Sequence, residues 1–328
     1  HYAPGRGELR LRQIIAEIEL KASVKPCHPD EVVIYPGATN AIYTVLACLL
    51  DPGDDIVVME PMYVGYDGIF KSLALNKVGV PLDVEAGFGF SLDAVTAAIT
   101  DSTRLVFINT PGNPAGNIIS QDDLRELAAY CIERDIWLVC DEVYSMITLE
   151  RAHVSLRRAA VQLDNVIIVD GLSKSHAMTG WRLGWTVAPR AVADRFLAFT
   201  SSTIFGCCQF VQDAAAFALM NDEEYINGVR EEYRQRRNYV CERVADINGL
   251  SCTTPEAGMF VMIHVDDPST DGLRFAEQLL DLEGVSVLPG LGFGACTAAY
   301  VRVSLAQPIS VLRPAFDRIA RFCEQYSG

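Results

Sequence analysis

The sequence predicts an α/β protein in three layers, a mostly parallel sheet between two layers of helices, followed by a smaller α+β unit. Three observations carry that prediction. Six short apolar runs (Val32–Tyr35, Ile56–Met59, Leu105–Ile108, Trp137–Cys140, Val166–Val169 and Leu183–Val187) are rich in branched residues and bounded by Gly, Pro or Asp. Continuous apolar runs of that length are how strands buried on both faces of a sheet read. Helix-period segments alternate with them, which is the pattern of a sheet covered on both sides. Finally, 328 residues, at roughly 150 per domain, suggest two domains.

Taken in order, Thr39–Leu50 reads as a helix stopped by Asp51-Pro52-Gly53-Asp54. In Ser120–Arg134 the residues Leu124, Leu127, Ala128, Cys131 and Ile132 share one face, and Ser120 with Asp123 forms a capping signal at its start. The texture changes after about Asp222. Glu223 to Ile247 is long, charged and helical. Strand candidates Met259–Val265 and Val301–Leu305 then alternate with helix candidates Leu273–Leu282 and Ile309–Tyr326. The expected division is a large unit over 1–225 and a long connecting helix with a small C-terminal unit over 226–328.

Composition narrows the function. Half of the chain is apolar and 21% is charged, enough for a large core. The net charge of −15 argues against nucleic acid or an anionic membrane as a partner, while leaving room for a local cationic pocket. The longest nearly apolar run, Ile42 to Leu50, is far below the roughly 20 residues a membrane span needs. No signal peptide is visible at His1-Tyr2-Ala3-Pro4. The ten cysteines show no CxxC and no regular spacing, which suits buried thiols in a reducing cytoplasm and no metal site. His153 and His264 read as ordinary surface or core histidines.

Ligands of open α/β sheets bind beyond the carboxyl ends of strands, so the polar residues ending the apolar runs are the candidates. Lys174 follows one strand and opens Ser-His-Ala-Met-Thr-Gly-Trp-Arg-Leu-Gly-Trp, with Arg182 eight residues later. Glycines there allow close backbone approach, and arginine offers a planar fork to a phosphate. Asp141 and Tyr144 end another strand in Asp-Glu-Val-Tyr. Asn113 lies in the turn Asn-Thr-Pro-Gly-Asn-Pro-Ala-Gly. Ala38 and Thr39 sit in Tyr-Pro-Gly-Ala-Thr-Asn-Ala, where a strand gives way to a helix start that could bind phosphate. Tyr63 follows Glu-Pro-Met, and Arg302 stands inside an alternating strand. Each feature alone is an ordinary turn, cap or ion pair.

Together, in this order, they resemble the aspartate aminotransferase superfamily, the class I/II aminotransferases of pyridoxal-phosphate fold type I. The resemblance covers nearly the whole chain, and Ser-Lys-Ser-His-Ala-Met-Thr-Gly-Trp-Arg-Leu-Gly is its most specific part. It implies pyridoxal 5′-phosphate as cofactor, with Lys174 forming the Schiff base and Asp141 pairing with the pyridine nitrogen. It implies Asn113 and Tyr144 as donors to the phenolic oxygen and Tyr63 as the stacking aromatic. Ala38, Thr39, Ser173 and Arg182 would cradle the phosphate, and Arg302 would clamp the substrate carboxylate beside Asn113. Tyr2, just ahead of Gly7-Glu8-Leu9-Arg10, would reach the phosphate in a neighbouring subunit.

The implied reaction moves an amino group between an L-α-amino acid and a 2-oxo acid, in a cytoplasmic homodimer with shared active sites. Elimination, replacement, decarboxylation or oxidation on the same cofactor is the alternative, since one fold hosts many chemistries. Family members carry several tens of residues before the point where this chain starts, so an N-terminal arm is expected to lie outside it. Ala115 stands where the family has threonine. The segment 200–209 is expected to set side-chain selectivity, and its lack of Arg or Lys disfavours a second substrate carboxylate.

Overall fold

The computed structural model describes residues 2–266 and 271–326, without the side chain of Tyr326. The large unit runs α1 (Leu9–Ser23), β1 (Val32–Tyr35), α2 (Ala38–Leu49), β2 (Asp55–Glu60), α3 (Val64–Ser72), β3 (Asn76–Pro81), α4 (Leu92–Ala98) and β4 (Thr103–Asn109). It continues with α5 (Gln121–Glu133), β5 (Trp137–Asp141), α6 (Leu156–Ala159), β6 (Val166–Gly171), β7 (Gly184–Val187), α7 (Arg190–Thr203) and α8 (Gln209–Met220). The long helix α9 (Glu223–Ala245) leads to β8 (Leu250–Cys252), β9 (Phe260–Val265), α10 (Gly272–Glu283), β10 (Leu288–Pro289), β11 (Tyr300–Ser304) and α11 (Ile309–Tyr326).

Seven strands form one sheet in the order β1-β7-β6-β5-β4-β2-β3. The pairs β6/β5, β5/β4, β4/β2 and β2/β3 are parallel, whereas β7 runs antiparallel to both β6 and β1. The sheet separates two cores. One face packs Leu11 and Ile15 of α1, Leu124 and Leu127 of α5, and Leu219 of α8. The other packs Ile42 and Leu46 of α2, Phe70 of α3 and Phe196 of α7. Central strands therefore bury both sides, which is why they read as unbroken apolar runs. A second sheet, β10-β11-β9-β8, is antiparallel throughout and packs with α9, α10 and α11 around a third core.

The predicted strands and helices recur within a residue or two of their expected ends. Ser120 caps α5 by accepting from Asp123 N–H at 3.1 Å, as the capping signal predicts. Residues 76–81 escape a search for apolar runs because β3 is an edge strand, exposed at most positions. All ten cysteines are free; Cys131 and Cys140 are fully buried, Cys48 is half-buried and Cys208 is exposed. Among the described residues no helix is long and apolar enough to cross a membrane.

Candidate active site

The parallel strands β4, β5 and β6 end side by side, with Asn109 opposite Asp141 and Asp141 opposite Val169. Beyond those ends lies a cavity of about 230 Å³. Ala38, Thr39, Tyr63, Asn113, Asp141, Tyr144, Ser173, Lys174 and Arg182 all line it. Nine of the eleven residues singled out in the sequence thus converge from six separate segments.

One end of the cavity is built for an anion. Helix α2 starts at Ala38, and its cap Gly37 offers no side chain to the first N–H groups. Helix starts bind anions through such free N–H groups and the helix dipole. Gly37 has a φ of 95°, in the left-handed region that glycine adopts without strain. A methyl on Gly184 would overlap the backbone nitrogen of Ala38, so the β7 backbone passes directly against the helix start. Arg182 holds a φ of 51°, unusual for a side-chain-bearing residue, and donates to Thr179 O at 2.9 Å. A methyl on Gly37 would also meet its guanidinium. The bare glycines thus leave room for the helix start and the arginine to face one ligand.

Asp141 occupies the other end, 4% exposed. Its Oδ2 accepts from Tyr66 O–H at 2.6 Å and its Oδ1 from Val143 N–H at 3.1 Å. Burial pushes its carboxyl up to about 6, opposed by these two donors and by the Lys174 charge. A buried carboxylate in that state gains from a cation placed against it. Tyr66 was not singled out in the sequence. It stands three residues after Tyr63, edge-on to it at 5.3 Å, and its ring packs on Phe107, so nothing in the pattern separates it from a core aromatic.

Lys174 is half-buried on the loop after β6 and makes no side-chain hydrogen bond among the described residues. Burial lowers its amine, helped by Arg302 and Arg182 and opposed by Asp141. Arg302 does not line the cavity itself. It reaches from β11 to donate from Nη1 to Asn113 Oδ1 at 2.9 Å, flanked by the rings of Phe260 and Phe293. Its Nε is buried without a partner. Asn113 Nδ2 in turn donates to Tyr144 O–H at 3.5 Å. Asn113 is held by its own N–H, which donates to Asn109 Oδ1 at 2.8 Å, while Asn109 Nδ2 donates to Asp141 O.

Tyr2 is 82% exposed and packs against Phe205, away from the cavity of its own subunit, its expected target being the phosphate of a neighbouring subunit. One expectation changes. The segment 200–209 contributes nothing to that cavity either: it is the end of α7 and the turn into α8, beside Tyr2. Its place in the chain order does not bring it to the lining of this cavity.

A free helix start with an arginine at one end, a buried carboxylate at the other and a deprotonation-prone lysine between them fit a phosphorylated pyridine aldehyde. That set, at the strand ends of this sheet, defines a pyridoxal-phosphate enzyme of fold type I. The sequence profile of aminotransferase class I and II matches residues 1–319. The chain is 40% identical to an arginine–pyruvate transaminase of Pseudomonas aeruginosa, covering 100% of this chain and 84% of that protein. It is 31% identical to an aspartate aminotransferase of Musicola paradisiaca, covering 100% and 83%. It superposes on the crystal structure of an aromatic aminotransferase from Pyrococcus horikoshii with a TM-score of 0.95, at 32% identity over 100% of this chain and 88% of that one. The chain belongs to the class I and II aminotransferase family and is a pyridoxal-phosphate-dependent aminotransferase.

Proposed function

We propose that Lys174 is the residue that carries the cofactor covalently and moves the proton, and that the substrates are an L-α-amino acid and a 2-oxo acid. The observation that carries this reading is the position of a half-buried, unbonded Lys174 between Asp141 and Arg182 in one cavity. Pyridoxal 5′-phosphate supplies an aldehyde that condenses with amines and a ring that withdraws electrons from the substrate carbon.

The chain's own residues divide the remaining work. Ala38, Thr39, Ser173 and Arg182 hold the phosphate, and Tyr63 covers the ring face. Asp141 keeps a proton on the ring nitrogen, because opposite charges favour each other's charged form. Tyr66 and Val143 N–H keep Asp141 ionised for that purpose. Asn113 and Tyr144 face the phenolic oxygen. Lys174 Nζ, with its proton affinity lowered by burial, takes the proton from substrate Cα and would deliver it to the cofactor carbon that receives the amino group. Arg302 exchanges its bond with Asn113 for a two-point grip on the substrate carboxylate, which orients the Cα–H bond for removal.

The same reading divides the chain at about residue 225 and places it in the cytoplasm as a homodimer. The exposed aromatics Tyr2, Phe205, Phe210 and Phe217 support an interface, from which Tyr2 would reach the partner's phosphate. The arginine–pyruvate relative puts arginine and pyruvate first among the substrates to try. The test mixes cofactor-loaded protein with single amino acids and no acceptor. One equivalent of 2-oxo acid per site, without ammonia, is the expected result. Continuing release of ammonia or carbon dioxide would overturn the reading.

A further inference from the structure

Behind the sheet, on the face away from the active site, lies a second cavity of about 520 Å³. Three carboxyl groups converge on it from separate elements. Glu19 comes from α1, Glu142 directly follows β5, and Asp170 is the penultimate residue of β6. Glu142 is 3% exposed and Glu19 is 8% exposed. Burial pushes the Glu19 carboxyl up to about 7; the neighbouring Glu142 charge adds to that and the buried Arg157, which lies outside the cavity lining, opposes it. Asp170 is likewise raised, by burial and then by repulsion from Glu142 and Glu19.

The polar groups around these acids are incompletely bonded. Glu142 Oε1 accepts from Leu156 N–H at 2.8 Å and from Ser155 O–H at 3.2 Å, while Asp170 Oδ1 accepts from Gly171 N–H at 2.6 Å and its Oδ2 from Ser145 O–H at 3.4 Å. Glu19 Oε2 has no hydrogen-bond partner. The indole Nε1–H of Trp185, a residue 4% exposed, has none either. His153 Nε2 lies 3.3 Å from Glu142 Oε2, yet neither of its ring nitrogens makes a hydrogen bond, and its side chain is 4% exposed. Leaving a buried polar group unmade costs about 1–3 kcal/mol, and three such groups around one chamber point to an occupant.

The chemistry of that occupant follows from the lining. Three carboxyl groups call for a cation. Among the described residues no three of His, Cys, Asp and Glu are placed to hold one metal ion, and the chamber is far larger than an ion needs. An organic cation fits instead. The basic groups facing the cavity, Lys21 and Arg158, are exposed at its mouth, and Arg158 is tethered to Ala22 O. Trp185 N–H also requires an acceptor. We propose that this cavity is a second binding site, for a small zwitterion whose cationic end lies among Glu19, Glu142 and Asp170 and whose carboxylate meets the basic mouth.

Guanidinoacetate is a suitable probe, because it carries both charges and no primary amine to condense with the cofactor. Calorimetry on the cofactor-loaded protein should show one saturable site per chain. Methylguanidinium, lacking the carboxylate, and acetate, lacking the cation, should each bind more weakly. Glu19→Gln breaks no existing bond at Oε2 and should weaken guanidinoacetate about tenfold, the loss of one charge-assisted bond. Arg302→Gln should leave this binding unchanged. Absence of saturable binding, equal binding of methylguanidinium, or loss with Arg302→Gln rather than Glu19→Gln would each overturn the proposal. If Glu19→Gln does not fold, Arg158→Gln removes an exposed positive charge at the mouth and must weaken the same binding.

Discussion

Arg302 Nη1 donates to Asn113 Oδ1 at 2.9 Å, so a guanidinium from the small sheet is bonded to an amide on the loop after β4 of the large one. That bond satisfies a half-buried charge, and under the proposed function it is the one the substrate carboxylate would replace. It also ties the two sheets together at the active site. Flanking by Phe260 and Phe293 keeps the guanidinium plane in place.

Replacing Arg302 with lysine keeps the charge and removes the planar fork. The amino acid KM should rise about tenfold or more, the cost of one charge-assisted hydrogen bond. Steady-state kinetics with the best donor checks this. An unchanged KM would mean that another group holds the carboxylate.

Lys174→Ala should retain cofactor through the helix start and Arg182 but fail to bind it covalently. Borohydride reduction followed by intact mass measurement distinguishes the two proteins. Wild type should gain the cofactor mass and the variant should not.

Tyr66→Phe removes a donor that favours the ionised form of Asp141. The carboxyl then takes up a proton at higher pH than before. Loss of half-reaction rate on acidification should therefore begin about one pH unit higher in the variant, given the 1.5–3 kcal/mol of a hydrogen bond to a charged group. A pH profile of the single-turnover rate reads this directly.

Gly184→Ala should place a methyl against the Ala38 backbone and force β7 and the start of α2 apart. Overpacking of this kind costs about 1–3 kcal/mol. The melting temperature should fall, and cofactor affinity should fall further than stability alone explains. Equilibrium dialysis at a temperature well below melting separates the two effects.

Glu19→Gln tests the rear cavity through stability. The folded chain holds this carboxyl at about 7 rather than 4.5, so folded protein binds more protons than unfolded across that interval. Its stabilising contribution is present at low pH and is lost as pH rises toward 7, by up to about 3 kcal/mol. The glutamine variant lacks that loss. Its stability relative to wild type should therefore rise between pH 5 and 8, as urea unfolding at each pH would show.

What was legible in the sequence follows from what each residue does. Strands β4, β5 and β6 bury both faces, so Leu105–Ile108, Trp137–Cys140 and Val166–Val169 announce themselves. The orientation of β7 does not, because an apolar run carries no direction. Lys174, Asp141, Asn113 and Arg182 were legible through their joint motif, each being an ordinary strand-end or turn residue alone. Tyr66 was not, since its hydroxyl acts on Asp141 while its ring packs like any core aromatic. His153 reads as an ordinary histidine because it lies on a loop while Glu142 follows β5 and Asp170 belongs to β6, and their convergence exists only in the folded chain.

Strand β5 ends with Asp141 facing the strand-end cavity, and Glu142 follows it facing the rear one, its N–H still bonded to Val169 O. Adjacent residues of an extended chain point to opposite sides. Gaining or losing a single codon within 137–141 would turn both carboxylates to the opposite face of the sheet and upset both compartments together. This stretch can therefore be altered by substitution but not by a change in length. Libraries built to retune either compartment should randomise side chains there and leave the spacing alone.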